Sequence, residues 1–111
     1  MKSDQILPAT SDRELLEMAA KAMGFLFESH PVDPNGYIAQ APLEPWTPWN
    51  PLLNDGDEAR IEAALGLDVV WCFYTVKVGE SAEYYDRHSG DKQAARRRAG
   101  VRAAAAIGAA K

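Results

Sequence analysis

Leu67-Asp68-Val69-Val70-Trp71-Cys72-Phe73-Tyr74-Thr75-Val76-Lys77-Val78 is the stretch that separates an all-helical reading of this chain from a mixed one. It is rich in valine and aromatic residues and contains neither proline nor glycine, a composition that favours strand. A single strand of that length is long, so a hairpin bending near Phe73 to Thr75 is the better reading. Ser81 to Arg87, with Tyr84 and Tyr85, adds a third strand at an edge, and Ser89-Gly90-Asp91 breaks the pattern. On this reading Trp71 belongs to the core and Cys72 is a buried structural thiol.

Helices flank the sheet. Upstream, Ser11 with Glu14 forms a capping box, and Leu15, Ala19, Ala22 and Met23 recur at helical spacing. Gly24 is a natural terminator, so a helix is expected at 12–23. A second helix is expected from Asp55 to Leu65, capped by Asn54 or Asp55 and stopped by Gly66. Its early acids Asp57 and Glu58 suit the positive end of the helix dipole. A third is expected over 92–110, capped by Asp91, with nine alanines and no proline. Ala95, Ala99, Ala103, Ala106, Ile107 and Ala110 give this helix a smooth small-residue face. Between the first two helices, residues 25–53 hold six of the seven prolines. This segment reads as an ordered loop with at most one short strand at Tyr37 to Ala39, anchored by its aromatic residues. The fold class is therefore α+β, in the order helix, proline-rich loop, helix, two- or three-stranded antiparallel sheet, long C-terminal helix. The 111 residues form one domain, with 1–10 as a flexible or loosely packed N-terminal arm.

Charge narrows the function classes. Residues 1–90 carry 15 acidic and 6 basic side chains, whereas 91–111 carry one acid and six bases. An acidic body repels phosphate backbones, so general nucleic-acid binding is disfavoured. No apolar run approaches the ~20 residues of a membrane span, and residues 1–10 lack the order of a secretory signal. The single cysteine fits a reducing cytoplasm. Alanine supplies 19 residues, whereas Leu, Ile, Val and Phe together make 22. So thin a core favours a homo-oligomer, most simply a dimer, with the small-residue face of the last helix as its motive.

The chemistry-bearing motifs are few. Asn54-Asp55-Gly56-Asp57-Glu58 lacks the alternating ligand order of a calcium loop, and capping accounts for its acids. Cys72, His30 and His88 have no zinc spacing, and no phosphate loop or nucleophile elbow is present. No enzyme activity, metal or cofactor is expected. The one constellation that suits a small ligand combines Trp49 and Asn50 with the helix start at Asp55 and the arginines Arg97, Arg98 and Arg102. Trp49 offers a flat face, Asn50 a donor and an acceptor, and the guanidinium forks positive charge. In the competing reading Trp49 anchors the loop, Asn50 forms a turn, and the arginines make ion pairs with the acidic body.

Three stretches bring a family into view. Trp49-Asn50-Pro51-Leu52, Asp55-Gly56-Asp57, Arg60 and Leu65-Gly66 resemble the central signature of small tailed-phage proteins of unassigned function. Arg97-Arg98-Ala99, Val101-Arg102 and Ala103 to Gly108 resemble their closing helix, and Ser11 to Ala22 their opening one. The group is distantly similar to the lambdoid phage NinX family. Arg96 and Gly100 depart from the pattern, which tends to threonine and isoleucine there. The resemblance implies a non-enzymatic accessory protein that binds a host protein or sequesters a nucleotide-type signal to counter host defence. Its alternative implication is an accessory role in phage DNA recombination or replication, with the basic last helix as the contact.

Overall fold

The computed structural model describes residues 10–111, and apart from Thr10 the expected N-terminal arm lies outside the described residues. Helix α1 spans Asp12–Met23. The Ser11 hydroxyl accepts from the Glu14 amide, the Glu14 carboxylate accepts from Ser11, and Gly24 closes the helix at φ 76°. This capping holds the Glu14 carboxyl below its usual range, chiefly through the Ser11 backbone bond.

The proline-rich segment is more ordered than its composition suggests. Strands β1 (Leu26–Ser29), β2 (Tyr37–Gln40) and β3 (Thr47–Pro48) form an antiparallel meander in which Phe27 faces Ala39 and Ile38 faces Pro48. The expectation of a loop with one short strand is thus corrected to a three-stranded sheet. The prolines lie in the connections or, for Pro48, on an edge strand where a missing amide breaks no ladder.

Helix α2 spans Asp55–Leu65, with the Asn54 side chain accepting from the Asp57 amide and Gly66 closing it at φ 65°. The decisive stretch folds as the hairpin expected of it. Strands β4 (Val69–Trp71), β5 (Thr75–Val78) and β6 (Ser81–Tyr84) form a second antiparallel sheet in that order. A 3-10 turn at Tyr85–His88 follows, and helix α3 runs from Lys92 to Ala109 with the Asp91 side chain capping the Ala94 amide.

Helix α3 is the hub. It packs against α1, α2, β5 and β6, so its small side chains are consumed inside the chain. Of the small-residue face, Ala95, Ala99 and Ala103 are buried within the chain, as are Ala104 and Ala105, whereas Ala106 and Ile107 are half-buried and Ala110 is exposed. Helices α1 and α3 run side by side in the same direction, because Arg98 meets Asp12 at one end and Lys111 meets the Ala22 carbonyl at the other. Their approach is close enough that a β-carbon at Gly108 would overlap the Met18 carbonyl oxygen. A helix-interior glycine costs roughly 1 kcal/mol against alanine, and this backbone contact explains why one is present.

Two apolar clusters result. Leu15, Leu16, Ala19, Trp49, Ile61 and Val101 form the larger, and Val76, Val78, Tyr85, Ala95 and Ala99 form the smaller, with Leu67 touching both. Two residues depart from the expected interior. Trp71 is 45% exposed and Cys72 is exposed, because β4 is an edge strand and Cys72 lies beyond its end at the hairpin tip. Among the described residues no helix is long and apolar enough to cross a membrane.

Candidate functional site

The four arginines of α3 reach four different places. Arg96 forks onto Glu62 at 2.8 and 2.6 Å, and its Nε lies 3.6 Å from Glu58. Arg97 donates to the Leu52 carbonyl at 2.9 Å and to Asp55 at 2.7 Å, tying α3 to the entry of α2. Arg98 meets Asp12 at 2.9 Å, and Arg102 meets Glu83 at 2.7 Å. The pairing with the acidic body that the charge layout allowed is what the chain adopts.

The constellation read from sequence therefore divides. Trp49 is buried, with ring centroids 5.9 Å from Phe25 and 6.0 Å from Phe27, so it anchors the first sheet to the core. Asn50 shapes the turn before α2: its side-chain oxygen accepts from the Leu52 amide, and its own amide donates to Asp57. Both residues line a cleft of about 460 Å³ that also carries Asp33 and Asp57, and no arginine is among its walls. Asp55 pairs with Arg97 outside that cleft. The amide end of α2 is engaged by its own cap, since the Asp57 amide donates to the Asn54 side chain.

Arg98 and Arg102 do share a site. Four residues apart on α3, they present one face and line a cleft of about 450 Å³ with Thr10, Leu15, Glu83, Arg87 and His88. The sheet explains how Glu83 comes to sit there. Side chains alternate along a strand, and Glu83 stands opposite Val76, so it takes the core face of β6 and is buried. Burying a carboxylate requires partners, which Arg102 and His88 supply on its two oxygens at 2.7 and 2.9 Å. Arg87 completes the wall, its guanidinium 5.6 Å from the centroid of the Tyr84 ring. Arg87, Arg98 and Arg102 thus line one concavity with Glu83, and Arg102 is the one that pairs with its carboxylate.

Arg87, His88 and Glu83 are not singled out by the sequence as parts of a site. The available signal is Glu83 itself, an acid on the inward period of a strand, which demands a cation from another element. A second buried acid lies elsewhere against α3. Glu58 is buried against Gly100, its Oε2 without a hydrogen-bond partner among the described residues, and a β-carbon at Gly100 would overlap that oxygen. Burial, then the hydrogen bond and negative charge of Glu62, push the Glu58 carboxyl up to about 9. Glu62 is also raised by burial, but its bonds from Arg96 and Glu58 outweigh this and hold it below its usual value.

No known protein family matches the chain, and no curated protein or solved structure is significantly similar to it. The likeness to the small tailed-phage proteins rests on short motifs alone.

Proposed function

We propose that this protein acts by binding rather than by chemistry, and that the Arg87–Arg98–Arg102 cleft holds a small phosphate-bearing ligand of the nucleotide type. The observation that carries this reading is that three arginines line one cleft of about 450 Å³, in a chain whose first ninety residues carry a net negative charge. That volume lies within the range of small-molecule sites, roughly 300 to 1,000 Å³. A guanidinium carries five donors in a fixed fork, and the Asp12 contact of Arg98 engages one of them. Planar forks suit phosphate oxygens, whereas a lone ammonium gives only a point charge. Glu83 at the floor holds Arg102 and His88 in place, so the site is built before any ligand arrives.

In the setting implied by the phage-like motifs, sequestering such a ligand in the cytoplasm of an infected cell would deprive a host defence of its signal. The alternative of a DNA-directed role loses support from the ion pairs. Arg96 and Arg97 reach acids of α2, Arg98 one of α1 and Arg102 one of β6, so the four are spread around α3 and form no continuous basic stripe for a phosphate backbone. The test is to purify the protein from bacterial cells, denature it and search the released fraction for phosphate esters by mass spectrometry. A nucleotide-type compound should accompany the wild type and be depleted from Arg98→Ala. An empty wild-type fraction, with a host protein co-purifying instead, would transfer the binding role to a protein partner.

A further inference from the structure

The outer edge of the second sheet lies apart from the cleft and carries its own signal. Val70, Trp71, Phe73 and Tyr74 succeed one another around the β4–β5 hairpin, and Phe73 and Tyr74 are 91% and 75% exposed. Their rings stack on each other at 5.8 Å, so they present one apolar surface. From Val69 to Val76 there is no charged residue and no proline. Edge strands are ordinarily blunted by charge, proline or a covering element, and β4 has neither of the first two.

The hydrogen-bond alternation shows which backbone groups face outward. Cys72 donates to the Thr75 carbonyl and Gly79 to the Asp68 carbonyl, so Val70 and Lys77 form the intervening bonded pair. The amides and carbonyls of Val69 and Trp71 then point away from β5, toward the edge that no strand pairs among the described residues.

We infer that β4 pairs antiparallel with β4 of a second copy, about a two-fold axis through Val70, and joins the two sheets into one of six strands. In that register Val69 of each copy lies opposite Trp71 of the other, and their outward amides and carbonyls satisfy one another. Three observations favour a second copy over an unlike partner. The edge is self-complementary, since a two-fold axis brings the same outward groups together in bonding order. The exposed parts of Val70, Trp71, Phe73 and Tyr74 amount to roughly 500 Å² per copy, so the pair has up to ~1,000 Å² to cover, the lower bound for a specific interface. Charge also matches: antiparallel pairing sets Asp68, at the base of one hairpin, toward the tip of the other. There Lys92 lies 5.3 Å from the Tyr85 ring centroid, and that ring packs beside Trp71.

Val70 is the discriminating position, because it alone would face itself. Sedimentation at 50 μM should give a dimer of the 12.1 kDa chain. Val70→Lys would set like charges opposite each other, beside Lys77 of both copies, and should return the monomer mass with an unchanged circular dichroism spectrum. A second variant requires a gain instead of a loss. With Cys72→Ser removing the native thiol, Val70→Cys should form an intermolecular disulfide under mild oxidation, because non-bonded antiparallel pairs sit about 4.5 Å apart at Cα. Lys77→Cys in the same background lies a strand farther from the axis and should cross-link at least tenfold more slowly. A monomeric wild type at 50 μM overturns the inference, whether or not an unlike protein then covers the hairpin. So does a dimer that survives Val70→Lys, or equal cross-linking at positions 70 and 77. None of these results depends on the arginine cleft.

Discussion

Glu58→Gln should make the protein more stable at alkaline pH, the reverse of what loss of a paired charge would do. Among the described residues Glu58 Oε2 is buried without a partner against Gly100, and the adjacent Arg96 guanidinium is committed to Glu62. The carboxyl is pushed up to about 9 from an ordinary value of 4.5, so the native state keeps a proton that the unfolded chain releases. The stabilisation from this proton is complete below pH 4.5 and is lost as pH rises toward 9. In that window one such group lowers stability by at most about 1.4 kcal/mol per pH unit. Allowing for its coupling to Glu62, the loss between pH 6 and 8 should be about 1 to 3 kcal/mol. For a chain of this size that corresponds to roughly 4 to 12 °C in Tm. The amide introduced by Glu58→Gln carries no titrating proton, fills the same volume and can donate to Glu62. Thermal melts at pH 6, 7 and 8 should therefore show a falling Tm for the wild type and a flatter profile for Glu58→Gln. The variant should overtake the wild type by pH 8. Parallel profiles, or a variant less stable at every pH, would refute the assignment of a buried, protonated Glu58.

Three further outcomes follow from the packing. Gly108→Ala should lower Tm by roughly 4 to 12 °C despite its better helix propensity, because the added methyl meets the Met18 carbonyl of α1 and overpacking costs ~1–3 kcal/mol. Trp49→Ala should cost about 3 to 5 kcal/mol in denaturant titrations, since it empties the space between Phe25 and Phe27. Asn50→Ala should lower stability by about 1 kcal/mol through loss of its turn bond to Leu52, while ligand affinity per folded molecule stays unchanged.

The elements legible in the sequence are those whose ends carry local chemistry. Ser11 with Glu14, Asn54 with Asp57, Asp91 with Ala94, and the terminators Gly24 and Gly66 each act within three or four residues of a helix end, so the helices lie where expected. The hairpin at Thr75 and the third strand at Ser81 are likewise legible from composition and a break in the pattern. The first sheet is not, because its strands are only two to four residues long, too short for a period-2 signal among prolines. Trp71 and Cys72 escape a sequence reading for a different reason: composition marks a strand, but strand order within the sheet decides which strand is left at an edge. The same holds for the site. Arg98 and Arg102 share a face by helical spacing alone, whereas joining Trp49, Asn50 and Asp55 to them assumes that α2 and α3 present their functional residues to one cleft. Glu83, Arg87 and His88 enter through tertiary packing of β6 and the 3-10 turn, which no local pattern encodes.

The central claim, anion capture by the arginine cleft, is tested most directly by calorimetric titration of the purified protein with pyrophosphate and with adenosine diphosphate at low and moderate salt. Arg87→Gln is the informative comparison, because Arg87 rests on the Tyr84 ring and pairs with no buried acid among the described residues. Both probes should bind the wild type, more weakly as salt rises, and Arg87→Gln should weaken them at least tenfold with Tm unchanged. Arg98→Ala should act in the same direction. Absence of heat with either probe at low salt, or equal affinity in wild type and Arg87→Gln, would contradict the account.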